Sequence, residues 1–173
     1  MNTTAPGYFG LGEMTDAHHA LLGVGEEPLA FESMQMMGAD LTGVSRKPRI
    51  FGGWSWSLFD GGIQPDTEAV NMWLVGVGAE GPVGSIAQHF TTACNGTSRL
   101  LLTTTRLIVT DPTEGGIKFE LALSDVARVR RDWRLFQSGR IEITFADGSI
   151  ARPTMGLVLT RARNRFIRAA DRE

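Results

Sequence analysis

The stretch that decides the fold is RLLLTTTRLIVTDPTEGGIKFELALSDVARVRRDWRLFQSGRIEITF, residues 99–145. It divides into short apolar runs at 100–103, 106–110, 117–123, 126–131 and 140–145. Asp111-Pro112, Gly115-Gly116, Ser138-Gly139 and, after the last run, Asp147-Gly148 separate them. Short runs rich in β-branched residues and bounded by turn formers predict a meander of antiparallel strands. A helical pattern follows at 155–172, where Met155, Val158, Leu159, Ala162, Phe166 and Ala169 recur at helical spacing. Arg161, Arg165, Arg168 and Arg172 form a basic stripe on a neighbouring face of that predicted helix. Cations there also lie near the C-terminus, where the macrodipole favours them. Strands followed by one closing amphipathic helix predict an α+β fold.

Towards the N-terminus the signals are shorter. Residues 15–22 read as a short helix with Thr15 as its cap and Gly23 as its stop. Residues 29–37 read as a strand, with Leu29, Phe31, Ser33, Gln35 and Met37 on one face and Ala30, Glu32, Met34 and Met36 on the other. Residues 38–69 carry too many Gly and Pro for long elements, so they are either an embellishing hairpin or a functional loop. Residues 70–77 make a buried-strand pattern, and 85–90 fit a strand or a helical turn equally well.

Length and composition narrow the class. A chain of 173 residues, 42% apolar and 21% charged, is a globular domain of ordinary size. It has no apolar run of membrane-spanning length and no secretion signal at its start, and its single cysteine, Cys94, forms no internal disulfide; the expectation is a cytoplasmic protein. Net charge is −2, but residues 1–98 carry a balance of −7 and residues 99–173 one of +5. The two halves either attract each other or leave a basic patch for an anionic partner.

Several residues together resemble the bacterial pleckstrin-homology and GRAM-like domains. They are Gly25-Glu26 before Leu29-Ala30, then Leu100-Leu101-Leu102-Thr103, a tight turn to Arg106-Leu107-Ile108-Val109, and Phe119 to Val129 with its Leu123-Ser124-Asp125 step. The resemblance covers residues 100–170 and a first strand at 29–37. It implies a strongly bent antiparallel sheet forming a half barrel, with the C-terminal helix plugging one end. On that frame the whole of 1–173 is one domain: a lead and short helix at 1–24, an insertion at 38–98 carrying an extra hairpin, and the meander plus capping helix at 99–173. Domains of this family serve as lipid readers, docking modules and assembly parts, so the fold alone names no activity.

Two clusters are candidates for binding. In the first, Arg46, Lys47 and Arg49 precede Trp54, Trp56 and Phe59 within a Gly-flanked segment. Cations set against lipid phosphates, each contributing about 1 kcal/mol on an anionic leaflet, with aromatics entering the headgroup layer, suit a membrane-reading loop. The alternation of Trp54 and Trp56 with Ser55 and Ser57 equally suits a strand whose aromatics pack beneath the insert. In the second cluster Arg128, Arg130, Arg131 and Arg134, extended by Arg140 and Arg152, offer a phosphate or acidic-peptide site or simply a solvated strand face. Met34, Met36 and Met37 are a third surface, suited to a protein partner.

Chemistry beyond binding finds little support. The histidines His18, His19 and His89 and the lone cysteine lack metal-ligand spacing. The Gly-rich 76–81 segment is followed by Pro82 and Gly84 where a pyrophosphate-binding helix should begin. No nucleophile elbow or phosphate loop occurs. The expectation is a non-enzymatic module with no cofactor and no nucleic-acid partner, contacting an anionic membrane surface or, alternatively, a protein.

Overall fold

A computed structural model describes residues 14–36, 54–56, 63–65, 78–94, 97–112, 115–132, 139–155 and 160–171. In chain order its elements are α1 (Asp16–His19), β1 (Pro28–Gln35), β2 (Trp54–Trp56), β3 (Ile63–Pro65), β4 (Ala79–Glu80), α2 (Ile86–Ala93), β5 (Thr97–Thr103), β6 (Arg106–Thr110), β7 (Ile117–Ala122), a 3-10 turn (Leu123–Asp125), β8 (Val126–Arg131), β9 (Ile141–Phe145), β10 (Ile150–Ala151) and α3 (Thr160–Ala170). The protein is α+β with two four-stranded antiparallel sheets, ordered β1-β5-β6-β7 and β4-β10-β9-β8, and a separate β2-β3 hairpin.

The first sheet owes its composition to having both faces covered. On β1, Ala30 and Met34 enter the main core while Phe31 enters a second cluster on the outer face. Its neighbours repeat the division: Leu100, Leu102, Leu107 and Val109 face inward, and Leu101 and Ile108, paired in register, face outward. Two buried faces remove the polar alternation of a half-exposed strand. This accounts for the unbroken triplets Leu100-Leu101-Leu102 and Leu107-Ile108-Val109.

The main core lies between the sheets and is closed by two helices. α3 packs against β1, β5 and β8, and α2 against β4, β7 and β10. Phe90 of α2 meets Phe145 at 5.7 Å and Phe119 edge-on at 5.9 Å between ring centroids, while Phe166 of α3 is fully buried. Burying a phenylalanine contributes roughly 1.5–3 kcal/mol. Residues 79–94, part of the expected insertion, therefore belong to the core. The segment left open between strand and helical turn is α2.

The C-terminal helix differs from the expected 155–172. Thr154 exchanges backbone hydrogen bonds with Gln35 at 3.0 and 2.9 Å, and Met155 N–H donates to the Gly139 carbonyl at 2.9 Å. Those long-range bonds hold 154–155 extended, so Met155 reaches the core from an extended segment. The third run also ends one residue early: Leu123 begins the 3-10 turn. Arg140 stands outside β9 and forms an isolated bridge with Thr154.

Residues 14–27 lie across the outer face of the first sheet. Met14 and Leu22 pack on Phe31, Leu101 and Ile108, all three fully buried. α1 rests on the β6–β7 connection, where Gly115 has φ +68° and the space for its missing Cβ is taken by Ala17 backbone atoms at 3.1 and 3.2 Å. Only glycine meets both conditions.

Candidate functional site

Of the aromatic-basic cluster, Arg46, Lys47, Arg49 and Phe59 lie outside the described residues, and so does the 70–77 strand pattern. Trp54 and Trp56 occupy the two ends of β2, opposite Pro65 and Ile63 of β3.

The second cluster is described more fully, and it divides. Among the described residues β8 is the outermost strand of its sheet, paired on one side with β9 so that Arg130 stands opposite Glu142 and Arg128 opposite Thr144. Arg130 is committed: its Nε and an Nη both lie 2.6 Å from Glu142 Oε1. The other oxygen of Glu142 accepts from Arg152 Nε at 3.0 Å, and Arg152 reaches Glu80 on β4 at 2.6 Å. Arg140 Nε lies 2.6 Å from Asp132. Charges thus alternate from β8 through β9 and the residue that follows β10 to β4, the cross-strand arrangement that stabilises a sheet. Burial works against the charge on Arg152, but Glu80 and Glu142 outweigh it and hold its pKa above the ordinary value. The expected patch loses Arg130, Arg140 and Arg152 to this network, because carboxylates from other strands fall into register with them.

Arg128 and Arg131 remain exposed, with no ion pair to a described residue, and Arg134 lies outside the described residues. Near Arg131, α3 contributes Arg163, which is buried and donates to Asn164 Oδ1 at 3.3 and 3.2 Å. Burial, then the charge of Arg131, pushes its pKa down. Arg131 and Arg163 thus approach each other where β8 meets α3. On the same helix Arg165 is held by Glu32 of β1, with Nε 2.9 Å and an Nη 2.6 Å from one carboxylate oxygen. Burial of Glu32 outweighs that pairing and raises its pKa.

A third cluster, unseen as a cluster in the sequence, gathers the residues of the family resemblance. Glu26 accepts from Thr103 Oγ1 at 2.5 Å, Thr105 Oγ1 at 2.6 Å and Gly23 N–H at 2.8 Å. Arg106 completes it as a fork, with Nε at 3.0 Å from one oxygen and an Nη at 2.5 Å from the other, while also reaching Glu120 and the Leu21 carbonyl. The Arg106 guanidinium, helped by the two hydroxyls and the amide and opposed by burial, holds the Glu26 carboxyl well below the usual carboxylate range. The Gly-Glu pair and the Leu-Leu-Leu-Thr strand with its Arg are two halves of one clamp. Spacing alone does not join them, since 80 residues separate Glu26 from Arg106.

The remaining reactive groups are quiet. Cys94 is buried and its thiol pKa is pushed up by desolvation, away from nucleophilic use. The α2 N-terminus is capped from within: Asp147 accepts from Ile86 N–H at 2.8 Å, Ser149 from Ala87 N–H at 3.0 Å, and Ser85 from Gln88 N–H at 3.4 Å. Met34 is inside the core and Met36 packs against it, so these two offer no docking surface; Met37 lies outside the described residues. Among the described residues no group of three or more His, Cys, Asp or Glu side chains is arranged to hold a metal, and no helix is long and apolar enough to cross a membrane. No protein-family model matches this chain, and neither does any curated protein sequence.

Proposed function

We propose that the chain is a pleckstrin-homology or GRAM-like half barrel acting as a non-enzymatic binding module on an anionic membrane surface or lipid headgroup, peripheral and cytoplasmic. Support for the fold reading comes from strand succession. Setting the 36–96 stretch aside, β1-β5-β6-β7 and then β8-β9-β10 follow one another as neighbours without a crossover, and α3 comes last, against strands of both sheets.

The observation that carries the functional reading is the uneven use of arginine on β8. Arg130 is neutralised by Glu142, while Arg128 and Arg131 stay exposed with no ion pair to a described residue. Arg128 projects from the same strand face as Arg130 and Arg131 from the other, so β8 offers an unpaired guanidinium on each side, and phosphate oxygens complement such groups. The aromatic-basic segment of Arg46, Lys47, Arg49, Trp54, Trp56 and Phe59 supplies the apolar anchors in this reading.

Cosedimentation with neutral phosphatidylcholine vesicles and with vesicles containing phosphatidylserine or a phosphoinositide tests it. Binding that needs anionic lipid, falls with salt and weakens in Arg128→Ser/Arg131→Ser supports the proposal; no binding, or equal binding to neutral vesicles, overturns it. The second reading, a protein-docking or assembly subunit, is favoured by the position of β8 at the end of its sheet, where an extended acidic segment adds as a further strand.

A further inference from the structure

We propose that β7 is the contact through which two copies of this chain join edge to edge, in a two-fold antiparallel pairing centred on Phe119 that carries the first sheet from one copy into the other. Four strands end the two four-stranded sheets, and β7 differs from the other three. β1 exchanges backbone bonds with Thr154 at Gln35, and β4 has only two residues. On β8 the Asp132 amide donates to the Arg140 carbonyl, so Arg130 also directs its backbone at β9 while Val129 and Arg131 turn theirs outward. A two-fold pairing of β8 centred on 129, 130 or 131 sets arginine opposite arginine each time, which opposes it. β7 has six residues, and among the described residues no strand lies on its second side.

Backbone and side chains of β7 agree on one register. The Leu123 amide donates to the Thr105 carbonyl at 2.8 Å, so Leu121 and Phe119, opposite Leu107 and Val109, direct their backbone groups at β6 as well. Glu120 and Ala122 therefore turn theirs to the open side. Lys118 is skipped in the pairing with β6, the extra residue of a bulge, a position whose backbone the ladder leaves unpaired. Placing Phe119 opposite Phe119 of a second copy sets Lys118 against its Glu120, and Glu120 against its Lys118. Opposite charges thus meet twice, as a two-fold contact requires.

The row of charges already present in one copy continues through this joint. Glu26 holds Arg106, Arg106 reaches Glu120 at 2.9 Å, and Lys118 lies 3.6 Å from Asp111. Glu120 is half-exposed and has room for a second cation. Joined, the two copies order these groups as Arg106, Glu120, then Lys118 and Asp111 of the second copy, with signs alternating throughout. The same register brings Ile117 opposite Leu121 of the second copy. Val24 and Val83, the other large apolar side chains exposed among the described residues, lie in turns, whereas Ile117 is on a strand. An open edge of this length that carries an exposed apolar residue is a template for pairing.

Light scattering after size exclusion, over a concentration series of the full chain, tests this. The wild type is expected to approach the mass of two chains as concentration rises. Lys118→Glu and Glu120→Lys each set like charge against like and are expected to weaken self-association at least about tenfold. An equimolar mixture of the two variants restores both opposite-charge pairs and is expected to associate as the wild type does. Hydrogen exchange of the wild type gives a readout that needs no variant: the amides of Glu120 and Ala122 gain protection with concentration, and those of Val129 and Arg131 do not. A wild type that stays monomeric, association that either single variant leaves undiminished, a mixture of folded variants that stays monomeric, or protection gained at Val129 and Arg131 instead overturns the proposal.

Discussion

The two faces of the first sheet each hold a chain segment by the same means, one glutamate–arginine pair and a few apolar side chains, yet the pairs differ in character. On the outer face Glu26 receives five donors, two from Arg106 and one each from Gly23, Thr103 and Thr105. On the inner face Glu32, the more deeply desolvated of the two, receives the two N–H groups of Arg165 on a single oxygen. The first carboxylate is driven below its ordinary pKa and the second above it. A buried charge is stabilised by the number of hydrogen bonds aimed at it, and one counter-ion does not offset full desolvation. The strap is thus held by polar contacts and α3 chiefly by Phe166.

Substitutions sharpen that contrast. Phe166→Ala should cost about 3–5 kcal/mol in urea unfolding, as for other fully buried aromatics. Arg106→Ala leaves Glu26 ionised and buried, so about 3 kcal/mol is expected. A loss below about 1 kcal/mol would break the contrast by showing that the hydroxyls and the amide suffice. Acid titration separates the two carboxylates by sign. Glu26, with its folded pKa depressed, contributes stability that is present above its unfolded value of about 4.3 and is lost as pH falls below that. Glu32, with its folded pKa raised, contributes stability that is full below about pH 4.3 and lost as pH rises through the folded value. Glu32→Gln is therefore expected to leave stability at pH 7 within about 1 kcal/mol of wild type or above it, and to lose that advantage at pH 4. The smallest effect belongs to Arg128→Ser/Arg131→Ser, whose unfolding free energy should move by less than about 0.5 kcal/mol because neither side chain has a described partner to lose.

What the sequence made legible follows the range of the interactions that decide each feature. The strands between 99 and 145 are bounded by their own turn residues, so local reading found all five, with β6 and β8 at their exact ends. The helical spacing extends to Met155 because nothing local shows that Met155 is bound to the Gly139 carbonyl and its neighbour Thr154 to Gln35 of β1. α2 stayed ambiguous because two of its capping groups, Asp147 and Ser149, lie about sixty residues away. The basic patch was overcounted for a related reason. Nothing near Arg130 or Arg152 in sequence announces that Glu142 stands between them; only the register of β8, β9 and β10 does. Nothing in the sequence joins His18 to the Asp111 carbonyl, 93 residues away, that its ring meets.

Seen mechanically, the Glu26 clamp sits one residue ahead of the Glu27–Thr104 backbone bond and two ahead of the first β1 pairing. Tension applied at the N-terminus reaches the Arg106 fork before it reaches any rung of the β1–β5 ladder. The fork shields that edge strand from peeling, and a single-molecule pull from this end should register its rupture ahead of the sheet's.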